Sequence, residues 1–131
     1  METREIKFRA WDESEKQMVE WPHLKNDPDE YLIGLLRGES PEDTLMQFTG
    51  LKDKNGTDIY EGDIVKCTDK HEDVFIYTVR WSNQWAQFFY VDHTCSDREW
   101  MSRLDMFDLG EEVIGNIHQN PELLWPTNYL P

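Results

Sequence analysis

Four side chains in the middle of the chain could hold a metal. Cys67 and His71 are spaced Cys-x3-His, and His93 and Cys95 are spaced His-x-Cys. Two thiolates and two imidazoles would suit tetrahedral zinc. In an up-down-up meander the loops after strands 62–67 and 86–91 lie at the same end of a sheet, so the topology permits such a site. The spacing is not one of the stereotyped zinc patterns, however, and two cysteines in a cytoplasmic protein are thiols by default. The expectation is therefore no bound metal and no cofactor.

Asp58, Glu61 and Asp63 fall close enough to act as paired carboxylates in acid–base chemistry. With 27 acidic residues in the chain, such pairs arise by chance, and Gly62-Asp63 is better read as a turn. Ser82, Ser96 and Ser102 have no glycine flanks of the nucleophile-elbow type, and no glycine-rich phosphate loop occurs. No catalytic residue is assigned. The aromatic stretch from Trp81 to Tyr90 could stack single-stranded bases, but such platforms need flanking cations and Arg80 stands almost alone. Core or subunit interface is the expected role.

A length of 131 residues fits one domain with a core large enough to fold without disulfide or metal. The formal net charge of −14 disfavours direct contact with nucleic acid or anionic lipid. Acidic residues gather at Asp27-Pro-Asp-Glu30, at Glu39-Ser-Pro-Glu-Asp43 and between Asp105 and Glu112. A DNA mimic would look acidic in this way, and so would any well-solvated intracellular protein. No apolar leader follows the start Met-Glu-Thr-Arg-Glu, and no run approaches the roughly eighteen apolar residues of a membrane span. The expected location is the cytoplasm.

The elements that would position these groups are mostly strands. Residues 4–11 alternate, with Ile6, Phe8 and Ala10 on one face and Lys7 and Arg9 on the other. Asp12–Lys16 is a polar turn, Met18–Trp21 the hairpin partner, and Pro22 ends the ladder. Asp27, Pro28 and Glu30 read as the capped start of a helix that carries Tyr31, Leu32, Leu35 and Leu36 on one face and stops at Arg37-Gly38. Residues 45–49 return to strand. Asp53-Lys-Asn-Gly56 and Glu61-Gly-Asp63 are turns, the second feeding a strand through Cys67. Strands 74–81 and 86–91 are apolar on both faces, so both faces must be covered, by the helix, a barrel wall or another subunit. Ser82–Gln84 would join them tightly. A short helical or irregular piece is expected near 98–104, and 113–118 is a last strand that closes the sheet. Gly115 would lie where no side chain fits or where the strand bends.

Three strings carry more than local structure. They are Arg4-Glu-Ile-Lys-Phe-Arg-Ala-Trp-Asp12, the run from Leu45 through Thr49-Gly-Leu-Lys-Asp-Lys-Asn-Gly56 and Tyr60-Glu-Gly-Asp-Ile-Val65, and Val113-Ile-Gly-Asn-Ile-His-Gln-Asn-Pro-Glu-Leu-Leu124. In this order they resemble the phage and prophage YopX family. The resemblance implies a small, largely β-strand, phage-encoded protein, assembled as a homo-oligomer. It implies no substrate and no catalytic residues. The resulting expectation is a single domain over 1–131, mainly β with one or two short helices. An N-terminal hairpin and helix (1–44) would precede a small SH3-like twisted barrel (45–124). The expected function is a non-enzymatic accessory role through contacts with a host or phage protein. An acidic decoy of a DNA-binding host protein is the alternative, and a hydrolase with an unrecognised site is the third.

Overall fold

The computed structural model describes residues 3–68, 70–93, 101–103 (as backbone) and 110–124. The chain is mainly β with two short α-helices and curled sheets. It forms two compact units, Met1–Gly50 and Leu51–Pro131. Among the described residues no helix is long and apolar enough to cross a membrane.

In the first unit, β1 (Phe8–Asp12) lies between β2 (Gln17–Val19) and β3 (Thr44–Lys52), antiparallel to both. A central strand has neighbours on both edges, and here both faces are covered too: Arg9, Ala10 and Trp11 are all buried. The alternating pattern of 4–11 thus understated the burial of the Arg9 side. The β1–β2 turn is held by Asp12, whose Oδ1 accepts from the backbone N–H groups of Ser14 and Glu15 and from the Ser14 hydroxyl.

The helix expected from Asp27 starts only at Tyr31, as α2 (Tyr31–Leu36), and a second short helix, α1 (Trp21–Lys25), precedes it. Pro22, expected only to end a strand, starts α1, where its missing N–H is no loss. Asp27 does not cap a helix. Its Oδ1 accepts from the Asp29 N–H at 2.9 Å, a local turn that competes with helix formation, and Glu30 adopts φ 57°, which breaks the helical path. The Arg37-Gly38 stop stands as read: the Arg37 and Gly38 amides donate to the carbonyls of Ile33 and Leu35.

The second unit is built on an antiparallel five-stranded sheet. Its strands are β5 (Asp63–Thr68), β6 (Val74–Ser82), β7 (Gln87–Asp92), β8 (Met101–Arg103) and β9 (Glu112–Asn116), in the order β8-β7-β6-β5-β9. A short strand, β4 (Asp58–Tyr60), precedes it. One face carries Val65, Cys67, Tyr77, Val79 and Tyr90, clustered with Ile59; the rings of Tyr77 and Tyr90 stack at 5.1 Å. The other face buries Ile64, Thr78 and Val91. Ile76 and Phe89, on strands expected to be covered on both faces by the helix, a barrel wall or another subunit, are half-buried within one chain.

Three local readings are corrected. The β6–β7 connection is a four-residue turn, 83–86, with Ser82 paired to Gln87. Trp81, expected on a wholly covered face, is 42% exposed, next to the turn that closes that hairpin. Residues 101–103, expected to be helical or irregular, extend the sheet beside β7; the rest of that stretch, 98–100 and 104, lies outside the described residues.

Candidate functional site

The residues singled out for chemistry are mostly consumed by the fold. Asp63 is 1% exposed and its Oδ2 accepts from the Tyr60 N–H at 2.8 Å, closing the turn before β5. Asp58 points instead to Lys52 Nζ, at 2.8 Å. Asp63 thus serves the turn and Asp58 an ion pair with Lys52, while Glu61 is half-buried between them in sequence. Ser82 is buried, and its hydroxyl accepts from the Trp85 N–H at 3.0 Å. Ser96 lies outside the described residues, and Ser102 is described as backbone in β8.

The metal-ligand set is likewise divided. Cys67 is fully buried in the apolar cluster, and burial, with Glu111 adding to it, pushes its thiol up to about 12. A thiol so placed resists becoming the thiolate that zinc binds. The His93 Nε2 lies 2.9 Å from the Thr78 hydroxyl. Thr78 follows Tyr77 on β6 and so faces away from the Cys67 side of the sheet. His71 is exposed in the turn after β5. Cys95 lies outside the described residues. Among the described residues, no group of three His, Cys, Asp or Glu side chains could hold a metal ion.

Thr78 and His93 form a hydroxyl–imidazole pair that the sequence did not announce, 15 positions apart. Such a pair is the minimum of a nucleophile and base. Here the hydroxyl also accepts from Arg80 Nε at 3.4 Å and Thr78 is 0% exposed, so no substrate atom reaches it. Its role is to hold the end of β7 against β6, where the His93 N–H also donates to the Ile76 carbonyl.

The motif residues between 49 and 124 serve a shared structural purpose. Asp53 Oδ1 accepts from the N–H groups of Asn55 and Thr57, and Oδ2 accepts from Val113 N–H, each at 2.9 Å. Burial pushes the carboxyl up, but these amides and Lys54 outweigh it and hold it below the ordinary value. Gly62, buried at φ 82°, donates to the Val79 carbonyl and accepts from Ile117 N–H, a position a side chain would strain. Gly115 meets the Asn120 side chain. A Cβ there would lie 2.5 Å from Asn120 Oδ1, so no side chain fits, as expected. Asn116 Oδ1 caps the following turn through His118 N–H and Gln119 N–H.

The first unit offers something different: an open groove of about 840 Å³ beside the β1–β2 turn and the two helices. Asp12, Asp27 and Asp29 contribute carboxylates to its wall, His23 an imidazole, and Pro22, Pro28 and Tyr31 apolar surface. The amides of Glu15 and Ser14 and the Ser14 hydroxyl hold the Asp12 carboxyl below its ordinary value. Tyr31 donates its hydroxyl to Asp43 Oδ2 at 2.7 Å, while Asp43 Oδ1 accepts from Glu13 N–H. Burial and the Asp43 carboxylate push the phenol above its ordinary range, so it stays neutral. From Tyr31 the wall runs into α2, whose residues Tyr-Leu-Ile-Gly-Leu-Leu are none of them buried. Ile33 is 41% exposed and Leu36 63%. The sequence pattern placed Leu36 on a core face. Tyr31, Leu32 and Leu35 of that face are half-buried, and Leu36, the last residue of the helix, is left exposed.

None of the curated sequences compared with this chain matches it. Among solved structures, the crystal structure of protein EF1440 from Enterococcus faecalis is similar, with 28% sequence identity and a TM-score of 0.59. The match covers 93% of this chain and 99% of that one. The family model described as YopX protein matches residues 7–125, a span that takes in all three motif strings except Arg4, Glu5 and Ile6 of the first, and this chain belongs to the YopX family.

Proposed function

We propose that this protein is a non-enzymatic accessory protein, encoded with a phage or prophage, that works by protein–protein contact through its N-terminal unit. The observation that carries this reading is α2: Tyr31, Leu32 and Leu35 are half-buried, and Ile33 and Leu36, one turn apart, stay exposed, on a helix that starts at an open groove. Contiguous apolar surface is retained on a soluble domain where something covers it. The second unit supports the same reading from the other side. Asp53, Asp63, Ser82, Thr78 and His93 are engaged in holding its turns and strands, leaving a scaffold, which we read as a small barrel of SH3-like kind. An acidic decoy would depend on charge alone, whereas this surface mixes apolar and acidic groups.

The test is site-specific photo-cross-linking in bacterial cells from position 36, with Glu72, exposed in the other unit, as the control position. The reading predicts a discrete protein adduct from position 36 and none at that mass from position 72. Absence of an adduct at 36, or the same adducts from both positions, overturns it.

A further inference from the structure

Resting on that reading of α2 as the contact surface, we propose that the partner's contacting element is a basic amphipathic segment of protein. Its apolar side chains would cover Ile33 and Leu36, and its lysine or arginine side chains would enter the groove walled by Asp12, Asp27 and Asp29. Tyr31 lines the groove and opens α2, so the exposed Ile33 and Leu36 follow within the next turn and a half of the same short helix.

Charge decides between the occupants. A second copy of this chain carries the same formal charge of −14. The helix is bracketed in sequence by Asp27, Asp29 and Glu30 before it and Glu39, Glu42 and Asp43 after it. Two copies meeting at α2 would bring those carboxylates together, a juxtaposition that costs several kcal/mol in general. An anionic lipid surface is repelled by the same groups. A cationic segment is attracted, and the attraction acts on the encounter as well as the complex. The apolar helix then adds what charge alone lacks: a requirement that the cations sit on one face of the segment and apolar side chains on the other. The cations nearby in sequence are Lys16, paired with Glu13, Lys25 at the end of α1, and Arg37, whose guanidinium is 4.0 Å from the Glu39 carboxylate, and the carboxylates outnumber them.

Fluorescence anisotropy with the full chain tests this, using three labelled peptides of equal length. One is a leucine–lysine amphipathic helix, one its leucine–glutamate counterpart, and one the lysine peptide scrambled to remove the apolar face. The lysine amphipath should bind at least tenfold tighter than either control. Raising the salt from about 0.05 M to about 0.5 M should weaken it severalfold, since the screening length shortens. Asp27→Asn with Asp29→Asn should weaken it about tenfold with an unchanged melting temperature, because the side-chain amide oxygen introduced at position 27 can still accept from the backbone N–H of position 29. Removing two charges elsewhere, as Glu72→Gln with Glu122→Gln, should leave it unchanged, and Leu36→Ser should weaken it.

Equal binding of the glutamate peptide would overturn the basic partner while leaving α2 as the contact surface. Equal binding of the scrambled peptide, or equal loss in the Glu72/Glu122 variant, would reduce the effect to net charge and overturn the proposal. Binding of none, or a dimer in sedimentation that Leu36→Ser dissociates, would also overturn it, the latter in favour of a second copy.

Discussion

The carboxylate of Asp53 accepts a hydrogen bond from the backbone N–H of Val113, 60 positions along the chain, at 2.9 Å. Asp53 opens the Asp-Lys-Asn-Gly turn and Val113 opens the C-terminal motif, so one side chain joins two of the three strings that mark the family. The backbone follows: Lys54 N–H donates to the Glu111 carbonyl, and β9 then runs antiparallel along β5.

Asp53→Ala should therefore destabilise the fold by about 3 kcal/mol, since charged hydrogen bonds contribute roughly 1.5–3 kcal/mol each and do not add. The folded carboxyl is held below its ordinary value. Its contribution is thus full above the unfolded-state value of about 3.9 and is lost as pH falls through the lower folded value. Denaturant melts of both proteins between about pH 7 and pH 3 should show the difference shrinking below about pH 4. A difference independent of pH would show that the charge is not what matters.

Gly115→Ala should cost about 1–3 kcal/mol, because the new methyl meets the Asn120 side chain at 2.5–2.9 Å. In the double variant with Asn120→Gly, the added cost of the methyl should fall to well under half, as neighbours that clash are non-additive. Urea titration of the four proteins of this cycle measures the coupling. Additive losses would mean that the glycine is needed for backbone bend alone.

Both four-residue hairpin turns end on a left-handed residue, Lys16 at φ 53° and Ala86 at φ 51°. Such angles cost a residue with a side chain roughly 1 kcal/mol or more. Lys16→Gly and Ala86→Gly should each raise stability by about 0.5 kcal/mol after the entropy lost by glycine is offset. Thermal melts at one pH check this; a lower melting temperature in either variant would show that its turn relaxes without the side chain.

Cys67 should be unreactive while the protein is folded. In a Cys95→Ser background, a thiol reagent at about pH 8 should label Cys67 only upon unfolding in guanidinium, because its folded value is about 12. Since the thiol is raised from 9.0, the unfolded chain gives up its proton first, and stability should fall as pH rises above 9. Rapid labelling of the folded variant would place Cys67 outside the apolar cluster.

Much of this architecture was legible in sequence because strand alternation and turn chemistry are local. Asn55-Gly56, Glu61-Gly62-Asp63 and the Gly115 contact announced themselves through residues that few other conformations favour. The helices were less legible. Asp27-Pro-Asp-Glu has the composition of a cap, and only the competing Asp27–Asp29 turn, with Glu30 at φ 57°, decides against it. The burial of Arg9 and the pairing of Thr78 with His93 depend on neighbours distant in sequence, which no spacing within the chain encodes. The groove was unreadable for the same reason: its wall draws on the β1–β2 hairpin, α1 and α2 at once.

The central claim is that the exposed face of α2 is where this protein meets its partner. It is tested most directly by quantitative affinity purification of wild type beside Leu36→Lys from bacterial cells that express each. Leu36 is 63% exposed in the last turn of α2, so lysine there should change stability by less than about 0.5 kcal/mol and leave the melting temperature unaltered. The account predicts that one protein recovered with wild type is lost with Leu36→Lys yet kept by Ala86→Gly, a change in the other unit. Recovery of the same proteins, in the same amounts, with a folded Leu36→Lys variant would contradict it.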